Sequence, residues 1–340
     1  MRVGVVGCGS VGARVARQLI ASGNISDLAV CDRDEVRAAE LARSLGASVV
    51  APRNMRDTDV DGLVLAVAAG EHFALARDAV AAGQFVVSTS DALADVQLLK
   101  TLDRSARERG VPVLLGAGFA PGLTCLLAQL GAGWFDAVHE VHVARVGTGG
   151  PACARQHHDA FRSPALDWRD GAWLHHRGGS GRELCWFPDP VGGRDCYRAA
   201  TADTVLMVDA FPSVHRVSAR TAATRRDRLT MHLPMLRPPH VEGGVGAIRV
   251  ELRGRVGDAV SVVVLGAIDR PGVAAGVVAA QACLWVGAGR VPLSGAMGLG
   301  LAVEAKPFLR ELASRGVRAA LFDGMSRRPG DRAPDGVQLT

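Results

Sequence analysis

The sequence predicts an α/β protein: a doubly wound parallel sheet, followed by a second α/β domain with a mostly antiparallel sheet. Three observations favour this fold class. The apolar segment 2–6 runs directly into a glycine-rich turn and then into a helical pattern. Apolar segments alternate with helical stretches as far as residue 122, which is typical of βαβ units. Beyond that point, segments 247–254 and 259–266 flank a short glycine-containing turn, which indicates an antiparallel hairpin.

The glycine-rich turn has the spacing of a dinucleotide-binding fingerprint, Gly7-Cys8-Gly9-Ser10-Val11-Gly12. In such a turn the first glycine permits the tight bend, the second lets a pyrophosphate approach the backbone, and the third lets the helix pack close to the strand. A second strand, 28–31, ends at Asp32, twenty positions after Gly12. This context predicts a Rossmann-type domain in which the whole turn contacts a dinucleotide.

The choice of coenzyme stays open between NAD and NADP. The Asp32 carboxylate can accept hydrogen bonds from both ribose hydroxyls of NAD and would repel a 2′-phosphate. The next residue, Arg33, has a guanidinium group that could instead bind that phosphate.

The remaining elements of the first domain follow from hydrophobic periodicity. Four further strands are predicted at 47–50, 62–68, 85–88 and 112–115. Helices are predicted at 34–45, 71–82 and 93–109, the last two followed by the terminating glycines Gly83 and Gly110.

Loops at the carboxyl ends of these strands should converge on the nicotinamide half of the coenzyme, because doubly wound sheets bind ligands there. The predicted coenzyme contacts in these loops are Ala68, Ala69, Ser88, Thr89, Gly118 and Phe119. Asp91 follows the fifth strand and has two interpretations, a helix cap or a catalytic carboxylate. His72 begins a helix, and we expect it on the surface.

The second domain is predicted to begin with a helix at 123–131 and a strand at 140–146. An irregular polar stretch, 147–197, is expected next, and the hairpin follows it. Asp269 is then expected to cap a helix that runs to residue 286, and a last helix covers 303–315. The predicted domains are 1–122, completed by 290–325, and 123–289, with a disordered tail at 326–340.

Catalytic candidates lie in the polar stretch. Arg155 could hold a substrate carboxylate, and His157 or His158 could transfer the proton that accompanies hydride transfer. The alternative is that these residues form a solvated loop. His139 and His142 lie three apart on a predicted strand and face opposite sides, so we predict no metal site.

The composition of the chain argues against nucleic-acid binding and membrane association. The formal charge of +5 is dispersed along the chain without a basic block, so we expect no nucleic-acid partner. No apolar segment has bilayer length and no secretion signal is expected, so no membrane association is predicted. The seven cysteines are scattered without a C-x-x-C pair, which indicates reduced thiols in a cytoplasmic protein.

Taken together, the glycine turn, Asp32-Arg33, Ser88-Thr89-Ser90-Asp91 and the loop Gly116–Gly122 make the chain resemble the saccharopine dehydrogenase-like oxidoreductases. The resemblance implies NAD(P)-dependent hydride transfer at a C–N (or C–O) carbon of a small amino- or keto-acid-like substrate. A homodimer is possible, since an exposed sheet face in such a second domain commonly pairs with its twin.

One departure is Ala120, where many relatives carry an acidic residue, and it puts saccharopine itself in doubt as the substrate. Two alternatives therefore remain. One is a dinucleotide-binding regulatory protein without turnover, and the other is a sugar or aldehyde dehydrogenase on a similar two-domain frame.

Overall fold

A computed structural model describes residues 1–46, 49–51, 54–235, 239–317 and 319–321. The first part of the chain alternates strands and helices as the periodicity predicts. Its elements are β1 (Arg2–Val6), α1 (Ser10–Ser22), β2 (Asp27–Cys31), α2 (Glu35–Leu45), β3 (Val49–Val50), β4 (Gly62–Leu65), α3 (His72–Ala81), β5 (Phe85–Ser88), α4 (Leu93–Lys100), α5 (Asp103–Arg109), β6 (Pro112–Leu115) and α6 (Leu123–Ala132).

The second part contains longer strands and a returning helical segment. Its elements are β7 (Ala137–Val146), α7 (Pro151–Ala160), β8 (Ala165–Arg169), β9 (Ala172–His176), β10 (Glu183–Phe187), β11 (Gly192–Tyr197), α8 (Asp203–Ala210), β12 (Arg216–Ala222), α9 (Arg225–Thr230), β13 (Gly246–Val256), β14 (Ala259–Asp269), α10 (Pro271–Gly287), β15 (Gly295–Gly298), α11 (Leu299–Ala302), α12 (Ala305–Ser314) and β16 (Ala319–Leu321).

Within the described residues, the first sheet has seven parallel strands in the order β15-β6-β5-β4-β1-β2-β3. Its central strands are apolar and buried on both faces because helices cover both sides. The chain reverses its direction across the sheet between β1 and β4. This switch point opens a crevice at the carboxyl ends of the strands, where such sheets bind ligands.

The second sheet runs in the order β10-β11-β12-β7-β13-β14-β16, and β8 and β9 extend it beside β12. It is mixed but mostly antiparallel, and β7 pairs in parallel with β12. The predicted α/β fold with two sheets is therefore confirmed. The predicted hairpin is also confirmed: β13 and β14 pair through Val256 and Ala259, and Gly257 adopts the positive φ of 58° that this two-residue turn requires.

Two predicted elements of the first part differ from the structure. The fourth strand ends at Leu65, not at residue 68. The helix predicted over 93–109 is two helices, since the Thr101 and Leu102 N–H groups bond to carbonyls only three residues back and the chain turns there. Residues 47 and 48 of the predicted third strand lie outside the described residues, and Val49–Val50 form β3.

The stretch 147–197 is not irregular, and this prediction was wrong. It contains α7 and the four short strands β8 to β11. One hairpin signal was present and overlooked: Asp170 and Gly171, with φ of 49° and 85°, form the two-residue turn between β8 and β9. Two of the strands, β9 and β10, were missed because most of their side chains are exposed and their hydrophobic alternation is weak.

The C-terminal segment that follows α10 contributes one strand to each sheet: β15 pairs with β6 in the first sheet, and β16 pairs with β14 in the second. Asp269 is not the cap of α10; the capping position belongs to Arg270, whose own N–H bonds to the Asp269 carboxylate. The predicted domain boundaries stay a prediction, and the predicted disordered tail, 326–340, lies outside the described residues. In the part of the chain that the structure describes, no helix combines the length and apolar character needed to cross a membrane.

Candidate active site

The glycine turn lies between β1 and α1, and the space around each of its three glycines is different. Gly7 has a φ of 96°, and a Cβ there would lie 2.4 Å from the Ala66 carbonyl oxygen. A Cβ on Gly12 would lie 1.7 Å from the Gly7 carbonyl oxygen. A Cβ on Gly9 would meet no described atom within 4 Å. Packing therefore accounts for Gly7 and Gly12, whereas Gly9 borders open space.

The first turn of α1 presents free backbone donors to this space. Gly9 is the capping residue, and no side chain within the described residues caps the helix. The opening N–H groups of a helix attract anions because they lack intrahelical partners and carry the positive end of the helix dipole. The turn can therefore hold a pyrophosphate through its backbone.

The carboxyl-end crevice deepens into a cavity of about 790 Å³. This volume is within the range of small-molecule and cofactor sites. The cavity extends from the glycine turn to helix α7 of the second part. Its lining includes most of the predicted site residues, namely Gly7, Cys8, Gly9, Ser10, Val11, Asp32, Arg33, Ala68, Ala69, Thr89, Asp91, Gly118, Phe119, Arg155 and His157.

Three predicted site residues lie outside the lining. Gly12 packs α1 against the turn. Ser88 is fully buried, and its hydroxyl bonds to Nδ1 of His72 at 3.0 Å. His158 lies one position beyond His157 on α7, so it points elsewhere, and its Nε2 donates to the Leu233 carbonyl at 2.8 Å.

His72 was expected on the surface, and this prediction was wrong. Its side chain is only 1% exposed, because α3 packs this first residue against β5. Nε2 donates to the Val67 carbonyl at 3.2 Å, and the Ser88 hydroxyl completes the pairing of the ring. Burial lowers the pKa of His72, so the ring is a neutral structural group at the cavity wall.

At the far end of the cavity, Asp91, Arg145 and His157 form a compact cluster. His157 Nε2 donates to Asp91 Oδ2 at 2.9 Å, and Arg145 Nη1 donates to the same oxygen at 2.8 Å. Asp91 therefore does not cap α4, whose capping position belongs to Ala92. Cys153, one helical turn before His157 on α7, places its Sγ 3.6 Å from Nε2.

The electrostatics of this cluster favour a charged histidine. Burial and the charge of Arg145 act to lower the pKa of His157, but the interaction with Cys153 and the hydrogen bond to Asp91 outweigh them and raise it to about 9. Burial acts to raise the pKa of Asp91, but the charge of Arg145 and the hydrogen bond from His157 lower it well below its usual range. At neutral pH the pair is therefore an imidazolium hydrogen-bonded to a carboxylate.

Arg145 holds Asp91 in place from the second sheet. It lies near the end of β7 and is 4% exposed, and its Nη1 also donates to the Ala120 carbonyl at 2.7 Å. Its Nε donates to Thr221 on the neighbouring strand β12 at 3.2 Å. Because one guanidinium bonds to loops and strands of both parts of the chain, it fixes the Asp91–His157 pair relative to the carboxyl-end crevice.

Sequence reasoning missed Arg145 and Cys153. Arg145 is the one charged residue in the segment Val141–Val146 apart from the titratable His142, and a guanidinium inside an apolar strand is a signal that was available. Cys153 carried no signal, because its role depends on α7, which the sequence did not predict.

The cluster also has the residue types of a metal site. The ligand atoms of Asp91, Cys153 and His157 lie within 4.8 Å of one another. However, Asp91 Oδ2 already accepts two hydrogen bonds, and the Arg145 guanidinium 2.8 Å from it would repel a cation. A shared proton fits this charge distribution better than a metal ion, and the absence of a metal stays our prediction.

Comparisons with known proteins agree with this architecture. Residues 2–92 match the family model described as NADP oxidoreductase, coenzyme F420-dependent. The apo saccharopine dehydrogenase (L-Glu forming) of Saccharomyces cerevisiae has a similar fold, with a TM-score of 0.69 at 15% identity over 94% of this chain and 99% of that chain. A probable dehydrogenase from Thermotoga maritima has a TM-score of 0.51 at 12% identity over 94% and 98% of the two chains. The curated proteins contain no match. The chain therefore has the two-domain fold of dehydrogenases.

Proposed function

We propose that this protein is an NAD(P)-dependent oxidoreductase of the saccharopine dehydrogenase-like type. It would transfer hydride at a C–N (or C–O) carbon of a small amino- or keto-acid-like substrate. One observation carries the proposal: a single cavity joins an uncapped glycine turn to a histidine that is charged at neutral pH. Hydride transfer to such a carbon needs a coenzyme and a proton donor side by side.

The glycine turn supports the coenzyme half of this proposal. Open space at Gly9 and the free N–H groups of α1 suit a pyrophosphate, and Asp32 lies beside the turn at the end of β2. The match of residues 2–92 to a family of NADP oxidoreductases supports the same assignment. When bound, the coenzyme supplies hydride for reduction or accepts it in oxidation.

His157 is the proposed acid of the reductive direction. Its Nε2–H is bound to Asp91, and Asp91 and Arg145 fix the ring at the cavity wall. As hydride reaches the substrate carbon, the proton on the other ring nitrogen, Nδ1, would pass to the adjoining nitrogen or oxygen. In the oxidative direction the neutral ring would take that proton back.

Arg155 is the proposed clamp for a substrate carboxylate. It lies in the lining two residues before His157, and its guanidinium has no hydrogen bond or ion pair to any described residue. Most cavity arginines differ in this respect, since Arg14, Arg33 and Arg37 each have an acidic neighbour. An unpaired guanidinium can form the bidentate contact that a carboxylate offers.

Coenzyme titration followed by a turnover screen tests this function. Nicotinamide fluorescence should change on titration with NADH or NADPH. Imines, 2-oxo acids, secondary amines, amino acids and hydroxy acids are then screened by absorbance of the reduced nicotinamide. No response to either coenzyme would overturn the proposal. Tight coenzyme binding without turnover of any substrate class would favour the regulatory alternative. The predicted homodimer is checked separately by light scattering.

A further inference from the structure

The adenosine end of the proposed coenzyme site centres on Asp32. Its side chain is 9% exposed, and backbone donors hold both carboxylate oxygens. Cys8 N–H donates to Oδ2 at 2.7 Å, and Asp34 N–H donates to Oδ1 at 2.9 Å. The rotamer is therefore fixed, and a negative charge borders the cavity directly beside the glycine turn. A carboxylate has about four lone-pair sites, so two acceptor positions remain for ribose hydroxyls.

The neighbouring arginines are already paired with acids. Arg33 Nη1 lies 3.5 Å from Glu71 Oε1. Arg37 Nη2 lies 3.1 Å from Asp34 Oδ2, and its Nη1 lies 3.8 Å from Asp32 Oδ1. This rim of the cavity contains three carboxylates (Asp32, Asp34 and Glu71) and two guanidinium groups (Arg33 and Arg37), so its net formal charge is −1. A 2′-phosphate, which carries close to two negative charges, would have to break these ion pairs and approach Asp32.

We propose that this chain selects NAD(H) over NADP(H), with Asp32 accepting the adenosine ribose hydroxyls and excluding the 2′-phosphate. This selection rests on the proposed function, because it assumes that the cavity binds a dinucleotide. It differs from the NADP named in the description of the matching family model. In this chain the cations available at the rim are neutralised within the protein, and the fixed group beside the turn is an anion.

Direct binding measurements on the full chain test the selection without any substrate. The dissociation constants of NADH and NADPH are measured by fluorescence, and those of 5′-AMP and 2′,5′-ADP by calorimetry. We expect NADH to bind at least about tenfold more tightly than NADPH, and 5′-AMP more tightly than 2′,5′-ADP. Equal affinities, or tighter binding of the phosphorylated member of either pair, would overturn the selection.

Two substitutions locate the effect. Asp32→Asn removes the charge but keeps the size and one carbonyl acceptor, so the NADPH-to-NADH ratio of dissociation constants should fall at least about fivefold. Asp27→Asn is the matched control, because Asp27 is exposed at the other end of β2 and does not line the cavity. It should leave the ratio unchanged. An unchanged ratio in a folded Asp32→Asn variant would contradict the role of Asp32.

The competing arrangement, in which Arg33 leaves Glu71 to bind the 2′-phosphate, has its own signature. In that case Arg33→Ala would weaken NADPH binding selectively, whereas our proposal expects it to leave the preference for NADH in place. If Asp32→Asn does not fold, the wild-type affinity ratio still decides the question. Failure of both coenzymes to bind would overturn the proposed function itself, an outcome distinct from binding with the opposite preference.

Discussion

Two separate substitutions, Gly9→Ala and Gly12→Ala, should distinguish an effect on coenzyme binding from an effect on folding. A Cβ at Gly12 would lie 1.7 Å from the Gly7 carbonyl oxygen, so the first turn of α1 must move away from β1. Such overpacking costs about 1–3 kcal/mol. At Gly9 the backbone φ of −74° suits alanine, and no described atom lies within 4 Å of the new methyl group. Gly9→Ala should therefore leave the free energy of unfolding within about 1 kcal/mol of the wild type, because the lower entropy of the unfolded chain offsets the poorer preference of alanine for the capping position.

The effect on binding should be the reverse for Gly9. The methyl group would fill space that the proposed pyrophosphate occupies, and a loss of about 1.4 kcal/mol already means tenfold weaker NADH binding. Thermal unfolding and fluorescence titration of both variants measure the two effects independently. We expect Gly9→Ala to unfold close to the wild-type temperature and to bind NADH at least about tenfold more weakly. Wild-type NADH affinity in Gly9→Ala would refute the assignment of this turn as the pyrophosphate site.

Five further predictions concern this cluster and the nearby Arg155 at the other end of the cavity. His157→Gln should lower kcat about 10²- to 10⁴-fold with unchanged NADH affinity, whereas His158→Gln, the neighbouring control, should retain wild-type kcat; equal losses would contradict the assignment. The rate of reduction should be level below the His157 pKa of about 9 and should fall about tenfold per pH unit above it, because the proton donor is lost; a profile that is flat through pH 10 would exclude this donor. Because that pKa lies above the unfolded value, the stabilisation from His157 should be complete below about pH 6.5 and lost as pH rises through 9, as denaturant unfolding at several pH values would show. Arg145→Met removes the guanidinium that pairs with Asp91 and should lower the free energy of unfolding by about 3–5 kcal/mol, which chemical denaturation measures. Arg155→Met should instead raise KM for a carboxylate substrate, with little change in stability.

Much of the fold and the coenzyme half of the site could be predicted from the sequence, because both depend on local patterns. The glycine spacing and the strand before it specify the turn, and the position of Asp32 follows from the length of one βα unit. Errors occurred where the chain turns between two helices without a glycine or proline, as at Thr101, or where strands carry exposed side chains, as in β9 and β10.

The proposed proton-transfer half of the site depends on contacts between segments that are distant in the sequence. The sequence suggested Asp91 and His157 separately, but it favoured a helix cap for the first and a solvated loop for the second. The structure brings them within 2.9 Å, although they lie 66 residues apart. The charge of His157 depends on this contact, since a pKa is set by burial and neighbouring charges, which sequence spacing does not encode.

The sequence by itself therefore determined the parallel sheet, the glycine turn and the carboxylate beside it, since each results from interactions within a few residues or one βαβ unit. Only the tertiary structure decided that α7 and Arg145 of the second part close one cavity with that turn. It also decided that Ser88 is buried outside the cavity lining and that His72 is a buried lining residue, not a surface one. The physical reason is that side-chain burial and charge pairing depend on contacts between elements that are distant in the sequence, whereas local patterns specify each element by itself.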